Sequence, residues 1–210
     1  MKKFTIFAVL ATALLMTMSS CSGSDAGSDK SLLFGSLPSE YAEFKSKRDK
    51  LNEEAKDIKT EEEKAELIKK GKKLDEKWTP KLEEVAKGLD GREINITDSI
   101  FKVTAPISLT FEKLKGSTLE PIFKINGSAE TTEPIMIENT FNPSRLVYIA
   151  GYGADGNELF KSQVGRISGN VSGNKLEIPA GTSIEFTTLK FDSAYVDKYI
   201  ETKTIKFIYL

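Results

Sequence analysis

Acid–base and nucleophilic chemistry near neutral pH usually relies on histidine or a reactive thiol, and this chain of 210 residues has no histidine and one cysteine, Cys21. A Ser-His-Asp or Cys-His pair and any histidine-ligated metal site are therefore excluded, because both need imidazole. One thiol makes neither an internal disulfide nor a thiolate-clustered zinc site. What remains is carboxylates, lysines and hydroxyls. Residues 92–210 hold 14 Asp+Glu, and two of them at the right separation would suffice for glycoside hydrolysis, but no aromatic-rich segment singles out a pair. Gly151-x-Gly153-x-x-Gly156 follows the apolar run Leu146 to Ala150 and spells a dinucleotide fingerprint. That fingerprint works only where a helix N-terminus meets the pyrophosphate, and Asn157 to Gly165 has no helical stripe, so the glycines read as hairpin residues. Asp155, Asn157 and Glu158 offer oxygens without the spaced ligands of a calcium loop. The expectation is no catalytic residue, no cofactor and no metal.

Thirty Lys+Arg against 31 Asp+Glu give a net charge of -1, which supplies no field for holding polyphosphate, so nucleic acid is not an expected partner. An apolar share of 39% excludes both a multi-span membrane protein and a low-hydrophobicity disordered chain.

Lys2 and Lys3 precede an uncharged, mostly apolar run from Phe4 to Met18, then Ser19, Ser20 and Cys21, the order of a secretory signal peptide. The run is too short for a spanning helix of about 20 residues. Small residues immediately before a cysteine resemble the lipobox of bacterial lipoproteins, with Met18 where that family usually has Leu. The resemblance implies that residues 1–20 are a signal peptide cut before Cys21 and that Cys21 is acylated and becomes the N-terminus. A thioether to diacylglycerol is stable where an ester would hydrolyse, the freed amine can take a further chain such as palmitate, and two or three chains hold almost permanently. Residues 21–36, rich in Ser, Gly and Asp, read as a flexible tether. Asp25 and Asp29 look like the acidic spacer of some surface-exported lipoproteins, or are simply polar linker residues.

Residues 37–91 carry 29 charged side chains in 55 positions, against 27 in 119 for residues 92–210, which places a boundary near Gly91. Leu37, Tyr41, Phe44, Arg48, Leu51, Ala55 and Ile58 alternate at spacings of four and three, one narrow stripe on a helix broken at Arg48. Thr60-Glu61-Glu62-Glu63 fits a capping box that starts a second helix. The stripe resumes through Leu67 or Ile68, Gly71, Leu74, Trp78, Leu82, Val85 and Leu89. Pro80 should kink or restart that helix, and Gly88 and Gly91 can end it. Two such helices of ~30 Å joined by a tight turn make a charged helical hairpin. Trp78 reads as a core residue packing this hairpin on the next domain.

From Arg92 the period becomes two: Ile94 and Ile96; Ile107, Leu109 and Phe111; Phe123 and Ile125; Ile135 and Ile137; Ile184 and Phe186; Ile205, Phe207 and Tyr209. Turns fall at Asn126-Gly127, Asp155-Gly156-Asn157, Gly173-Asn174 and Ala180-Gly181. Eight or nine strands with no helix between them imply an antiparallel sandwich over residues 92–210, and a domain of ~120 residues should bury a core without residues 37–88. Ile122 to Gly127, Leu146 to Ala150, Asp155-Gly156-Asn157 and Leu176 to Thr182 followed by Phe186 are similar to FxLYD-type and telokin-like Ig-like domains of secreted bacterial proteins. The resemblance implies an Ig-like fold and no shared active site.

The fold class expected is α+β, an N-terminal helical hairpin followed by an antiparallel Ig-like β-sandwich. The function expected is that of a lipid-anchored cell-envelope protein of the outer membrane, periplasmic or surface-exposed, whose sandwich binds a protein or glycan without catalysis. The alternatives are a structural subunit docking through its hairpin, and a carboxylate-based hydrolase. Tyr148, Tyr152 and Tyr195 in one groove would favour glycan binding, an exposed seam through Tyr41, Phe44 and Leu51 would favour docking, and two carboxyls with raised pKa in a cleft would favour the hydrolase.

Overall fold

The computed structural model describes residues 31–210. The fold is α+β with antiparallel sheets. Two helices come first, α1 at Leu37–Glu54 and α2 at Glu61–Lys87. Thr60 accepts from the Glu63 N–H at 3.1 Å and the Glu63 carboxylate accepts from the Thr60 N–H at 3.0 Å, so the capping box that begins α2 is formed. Pro80 does not restart the helix, and α2 runs on to Lys87. Pro80 is exposed, as is Glu76 one turn earlier, so the carbonyl that loses its N–H partner there faces solvent.

The apolar stripe of α1 is buried only at its beginning, where Tyr41 and Phe44 pack with their rings 5.6 Å apart and Phe44 meets Trp78 of α2 at 6.0 Å. Further along, charge replaces packing. Arg48 pairs with Asp75, Glu54 with Lys70 at 2.8 Å and Glu40 with Lys81 at 2.6 Å, all between the two helices. The break in the stripe at Arg48 is therefore a cross-helix ion pair, and Lys70 reaches Glu54 across the pair instead of Glu66 on its own helix.

Ten strands follow among the described residues: β1 Phe101–Lys115, β2 Glu120–Thr131, β3 Ile135–Ile137, β4 Ser144–Tyr152, β5 Glu158–Ser168, β6 Asn170–Ser172, β7 Lys175–Ile178, β8 Glu185–Phe186, β9 Thr188–Lys190 and β10 Thr204–Tyr209. They lie in three sheets, β1-β2-β9, β10-β4-β5-β8 and β3-β7-β6. A short helix α3, Val196–Glu201, interrupts the expected unbroken strand pattern before β10. The first two sheets face each other through Phe101 of β1 and Phe207 of β10, rings 5.8 Å apart. Residues 91–97 curl the sheets together. They run beside β1, where the Ile94 N–H reaches the Ile107 carbonyl at 2.7 Å, and then meet β10, where the Thr97 N–H reaches the Ile205 carbonyl at 2.9 Å.

The period-two apolar residues fill the interior: Ile107, Leu109, Phe123, Ile125, Ile205 and Phe207 are all buried. Asn126-Gly127, expected as a turn, lies instead inside β2 opposite an irregularity of β1 between Ala105 and Ser108. Gly127 has φ of 115° and a Cβ there would collide with the Pro106 carbonyl, so the glycine allows a bulge and not a reversal of the chain.

Composition alone misplaces the boundary at the front of the described chain. Residues 31–36, read as tether, form a closed loop: the Ser31 N–H reaches the Gly35 carbonyl at 2.8 Å and the Ser31 hydroxyl accepts from Leu33 and Phe34. Leu33 and Phe34 are fully buried. Phe34 sits among Phe123 of β2 at 5.6 Å, Phe191 at 5.2 Å and Tyr199 of α3 at 4.8 Å. One hydrophobic cluster thus runs from Leu33 to Phe207 across helices and sheets. Residues 92–210 share their core with the helical segment.

Phe34→Ala should lower unfolding stability by about 3–5 kcal/mol, the usual range for emptying a phenylalanine site in a core. Denaturant unfolding followed by circular dichroism measures it. A loss under about 1 kcal/mol would mean that residues 31–36 are dispensable to the β body.

Candidate functional site

The outer face of the β10-β4-β5 sheet is laid out by strand register. Val147 and Ile149 of β4 point inward and are fully buried, which puts Tyr148, Ala150 and Tyr152 on the other face. On the flanking strands Tyr148 lies beside Ile208 and Gln163, Ala150 beside Lys206 and Lys161, and Tyr152 beside Thr204 and Glu158. The two lysines of the middle row reach in opposite directions. Lys206 Nζ stands 5.0 Å from the Tyr152 ring centre and Lys161 Nζ stands 5.7 Å from that of Tyr148. At exposed sites such contacts contribute about 0.5–1 kcal/mol, so they hold a lysine loosely. Among the described residues neither lysine has a carboxylate within ion-pair distance.

Beside this face a polar hollow of about 280 Å³ opens between β5 and β9, lined by Lys161, Gln163, Thr187, Thr188, Lys190 and Asp192 among others. Lys161 belongs to both the face and the hollow. Tyr195 does not join them: it packs on Phe160 at 6.1 Å and Tyr199 at 6.3 Å on the inner side of the sheet. Of the three tyrosines, two share a face. A larger groove of about 1020 Å³ lies between the outer side of α1 and residues 193–197, and its lining is mostly exposed charge.

The glycine pattern sits where a strand turns. Gly151 ends the inward row of β4 against the Phe160 ring, which a Cβ would strike. Asp155 accepts from the Asn157 N–H at 3.1 Å and side-chain amide at 2.7 Å, and β5 follows directly. Strand, not helix, comes after the glycines, so no helix N-terminus is aimed at a phosphate there. The Asn157 hydrogen bonds hold the Asp155 carboxyl below its ordinary range. Among the described residues no group of three or more Cys, Asp or Glu is placed to hold a metal ion, and no helix is long and apolar enough to cross a membrane. Cys21 lies outside the described residues.

Among the described residues the most buried carboxylate, Glu120, is at a junction. Burial acts to raise the pKa of Glu120, but hydrogen bonds from the Ser193 side chain and N–H, Lys115 and Thr118 outweigh it and hold the carboxyl below its ordinary value. Glu120 accepts from the Ser193 N–H at 3.2 Å, Lys115 Nζ at 3.2 Å and the Thr118 hydroxyl at 3.1 Å. Tyr41 of α1 donates its hydroxyl to the Thr118 carbonyl, so helix, β1-β2 turn and the 193–195 turn meet here. Burial, then the charge of Glu120, pushes the Tyr41 hydroxyl far above its ordinary range, and it stays neutral. A carboxylate so satisfied is a fastener, not a proton carrier.

The sequence fingerprint could not reveal the Tyr–Lys face, because Tyr148, Tyr152, Lys161 and Lys206 come from three strands. Period two in β4 puts the two tyrosines on one side, and only the cross-strand register supplies the lysines. Compared with known protein families, curated proteins and solved structures, the chain matches none.

Glu120→Gln should cost about 1.5–3 kcal/mol at neutral pH, the range for a hydrogen-bonded charged group. Because the folded-state carboxyl titrates below its ordinary value of 4.5, its contribution is complete above that value and is lost as the pH falls through the folded pKa. The wild-type protein should therefore lose stability more steeply than the variant below about pH 4.5. Parallel stability–pH curves for the two would show that Glu120 carries no such linkage.

Proposed function

We propose that the chain is a lipid-anchored protein of the bacterial cell envelope that binds an extracellular ligand, without catalysis, through the outer face of the β10-β4-β5 sheet. The observation that carries this reading is the pair Tyr148 and Tyr152 on one sheet face, each with a lysine free of carboxylate partners among the described residues. In this reading Cys21 is acylated after removal of residues 1–20 and holds the protein to the outer membrane. The α1–α2 pair is a helical hairpin and the β body is Ig-like. Nine residues separate Cys21 from Ser31, and so short a stretch spans at most about 35 Å. The body then works close to the bilayer.

Two observations weigh on the alternatives. Of the seam through Tyr41, Phe44 and Leu51 that would dock a partner helix, Tyr41 and Phe44 are buried in the protein's own core and Leu51 is half-buried. Glu120, the buried carboxylate among the described residues, is held below its ordinary range by its hydrogen bonds, whereas a glycosidase acid needs one raised.

Cys21→Ala should move the protein from the detergent-phase, membrane-bound fraction to the soluble one or leave its leader uncut, read by mass and phase partition. Unchanged mass and partition would remove the anchor. The double variant Tyr148→Ala and Tyr152→Ala should lose at least about tenfold in retention on protease-treated, lipid-extracted envelope material at unchanged melting temperature, two stacking contacts being worth that much. Equal retention would place the binding surface elsewhere.

A further inference from the structure

The two lysines on the sheet face stand over the rings that a sugar would need. A pyranose stacks its C–H face on a tyrosine, so Lys161 and Lys206 must leave Tyr148 and Tyr152 for stacking to occur. A neutral sugar offers the displaced ammonium only hydroxyl acceptors and no opposite charge, so the pairing is the weaker one. A sugar that carries a carboxylate supplies both partners at once, with C–H groups for the ring and an anion for the lysine. Displacement is easy because each lysine is held only by its ring contact among the described residues, with no ion pair to break.

The surroundings repeat the pattern. The hollow beside Tyr148 adds a second cation, Lys190, the amide of Gln163 and the hydroxyls of Thr187 and Thr188. Asp192 also lines it, but its carboxylate accepts from the Ala194 N–H at 2.8 Å and so is engaged with its own backbone. Glu158, beside Tyr152, is the acid nearest the platform in register. Tyr148 and Tyr152 are four residues apart, roughly 13 Å along the strand, a span that a chain of sugars bridges and a single sugar does not.

We propose that this face binds a carboxylate-bearing polysaccharide, its rings on Tyr148 and Tyr152 and its carboxylates on Lys161, Lys206 and Lys190. The proposal rests on the reading of this face as a binding surface and adds the ligand class.

The test uses the purified full chain in neutral detergent, titrated with polygalacturonate, alginate and hyaluronan as carboxylated polymers, amylose as a neutral one and polyglutamate as an acidic polymer without sugar rings. The expected result is binding to at least one carboxylated polysaccharide, weakened by salt because exposed charges are screened, with no measurable binding of amylose. Lys161→Ala with Lys206→Ala, and separately Tyr148→Ala with Tyr152→Ala, should each weaken that binding at least tenfold at unchanged melting temperature. Lys161→Arg with Lys206→Arg should retain it within about threefold, because the charge is kept. Amylose bound as tightly as the acidic polymers, with the tyrosine variant weakened and the lysine variant not, would overturn the acidic specificity and leave the binding face standing. Polyglutamate bound equally well, with the tyrosine variant unaffected, would reduce the site to charge and overturn the proposal. Failure to bind all three carboxylated polysaccharides would also overturn it, while retention on envelope material decides the broader reading separately.

Discussion

The insertion of Phe34 between the sheets is the contact on which the rest of the arrangement depends. Its ring lies within 6 Å of three others, from β2, from the residue after β9 and from α3. Tyr199 at the far side of this cluster accepts a hydrogen bond from the Asp192 N–H at 3.1 Å, which satisfies its buried hydroxyl. Burial pushes that hydroxyl far above its ordinary range, so the cluster stays uncharged. Aromatic edges meeting faces give such a cluster a preferred geometry as well as area, and that geometry fixes where the chain enters the body.

The loop that delivers Phe34 is held from below. Arg92 donates to the Ser31 and Leu32 carbonyls at 3.0 and 3.2 Å, and its guanidinium occupies the space that a side chain at position 35 would need. Burial lowers the Arg92 pKa, yet its fork of donors ties two successive carbonyls of the loop to the start of the strands. Because Arg92 stands at the junction of the helical segment and the strands, the same residue fixes the entry of the chain and the start of the β body. The helices are then fixed at their base by Tyr41, Phe44 and Trp78. Beyond that base, exposed ion pairs hold them, which contribute little each. The inner third of the helical pair is therefore part of the core, and the outer two thirds are a solvated arm.

Local rules were legible in the sequence wherever a short segment decides the outcome. The capping box at Thr60 and Glu63 follows from two side chains three residues apart. The period-two runs at Ile107 and Leu109 and at Ile205 and Phe207 mark inward faces without knowledge of partners. The reading failed where a distant partner decides. Leu33 and Phe34 stand in a stretch of Ser, Gly and Asp, and nothing local shows that a cavity lined by Phe123, Phe191 and Tyr199 awaits them. Asn126-Gly127 has turn chemistry, but β1 continues opposite it, and the pair is absorbed as a bulge. Pro80 breaks a helix in isolation, but packing at Trp78 and Leu82 on either side of it outweighs the lost hydrogen bond.

The same plug constrains the orientation of the tyrosine face. β4 runs from Ser144 to Tyr152, and its Tyr152 end meets Lys203, just after α3, through the Lys203 N–H and the Tyr152 carbonyl at 2.8 Å. α3 also carries Tyr199, on which Phe34 packs, so the Tyr152 end of the face is the end near the chain's entry. Tyr148 lies farther out along the strand. With Cys21 as the proposed anchor and only nine residues between it and Ser31, the proposed ligand, if it touches both tyrosines, would run along the strand from the entry pole outward. A polymer strand rising from the membrane, or descending toward it, meets that geometry directly. One lying parallel to the bilayer would cross β10, β4 and β5 in turn, and would meet a lysine, an alanine and a lysine along the middle row. In the proposed reading the strand direction would set both the axis of the ligand and the order in which rings and charges are met.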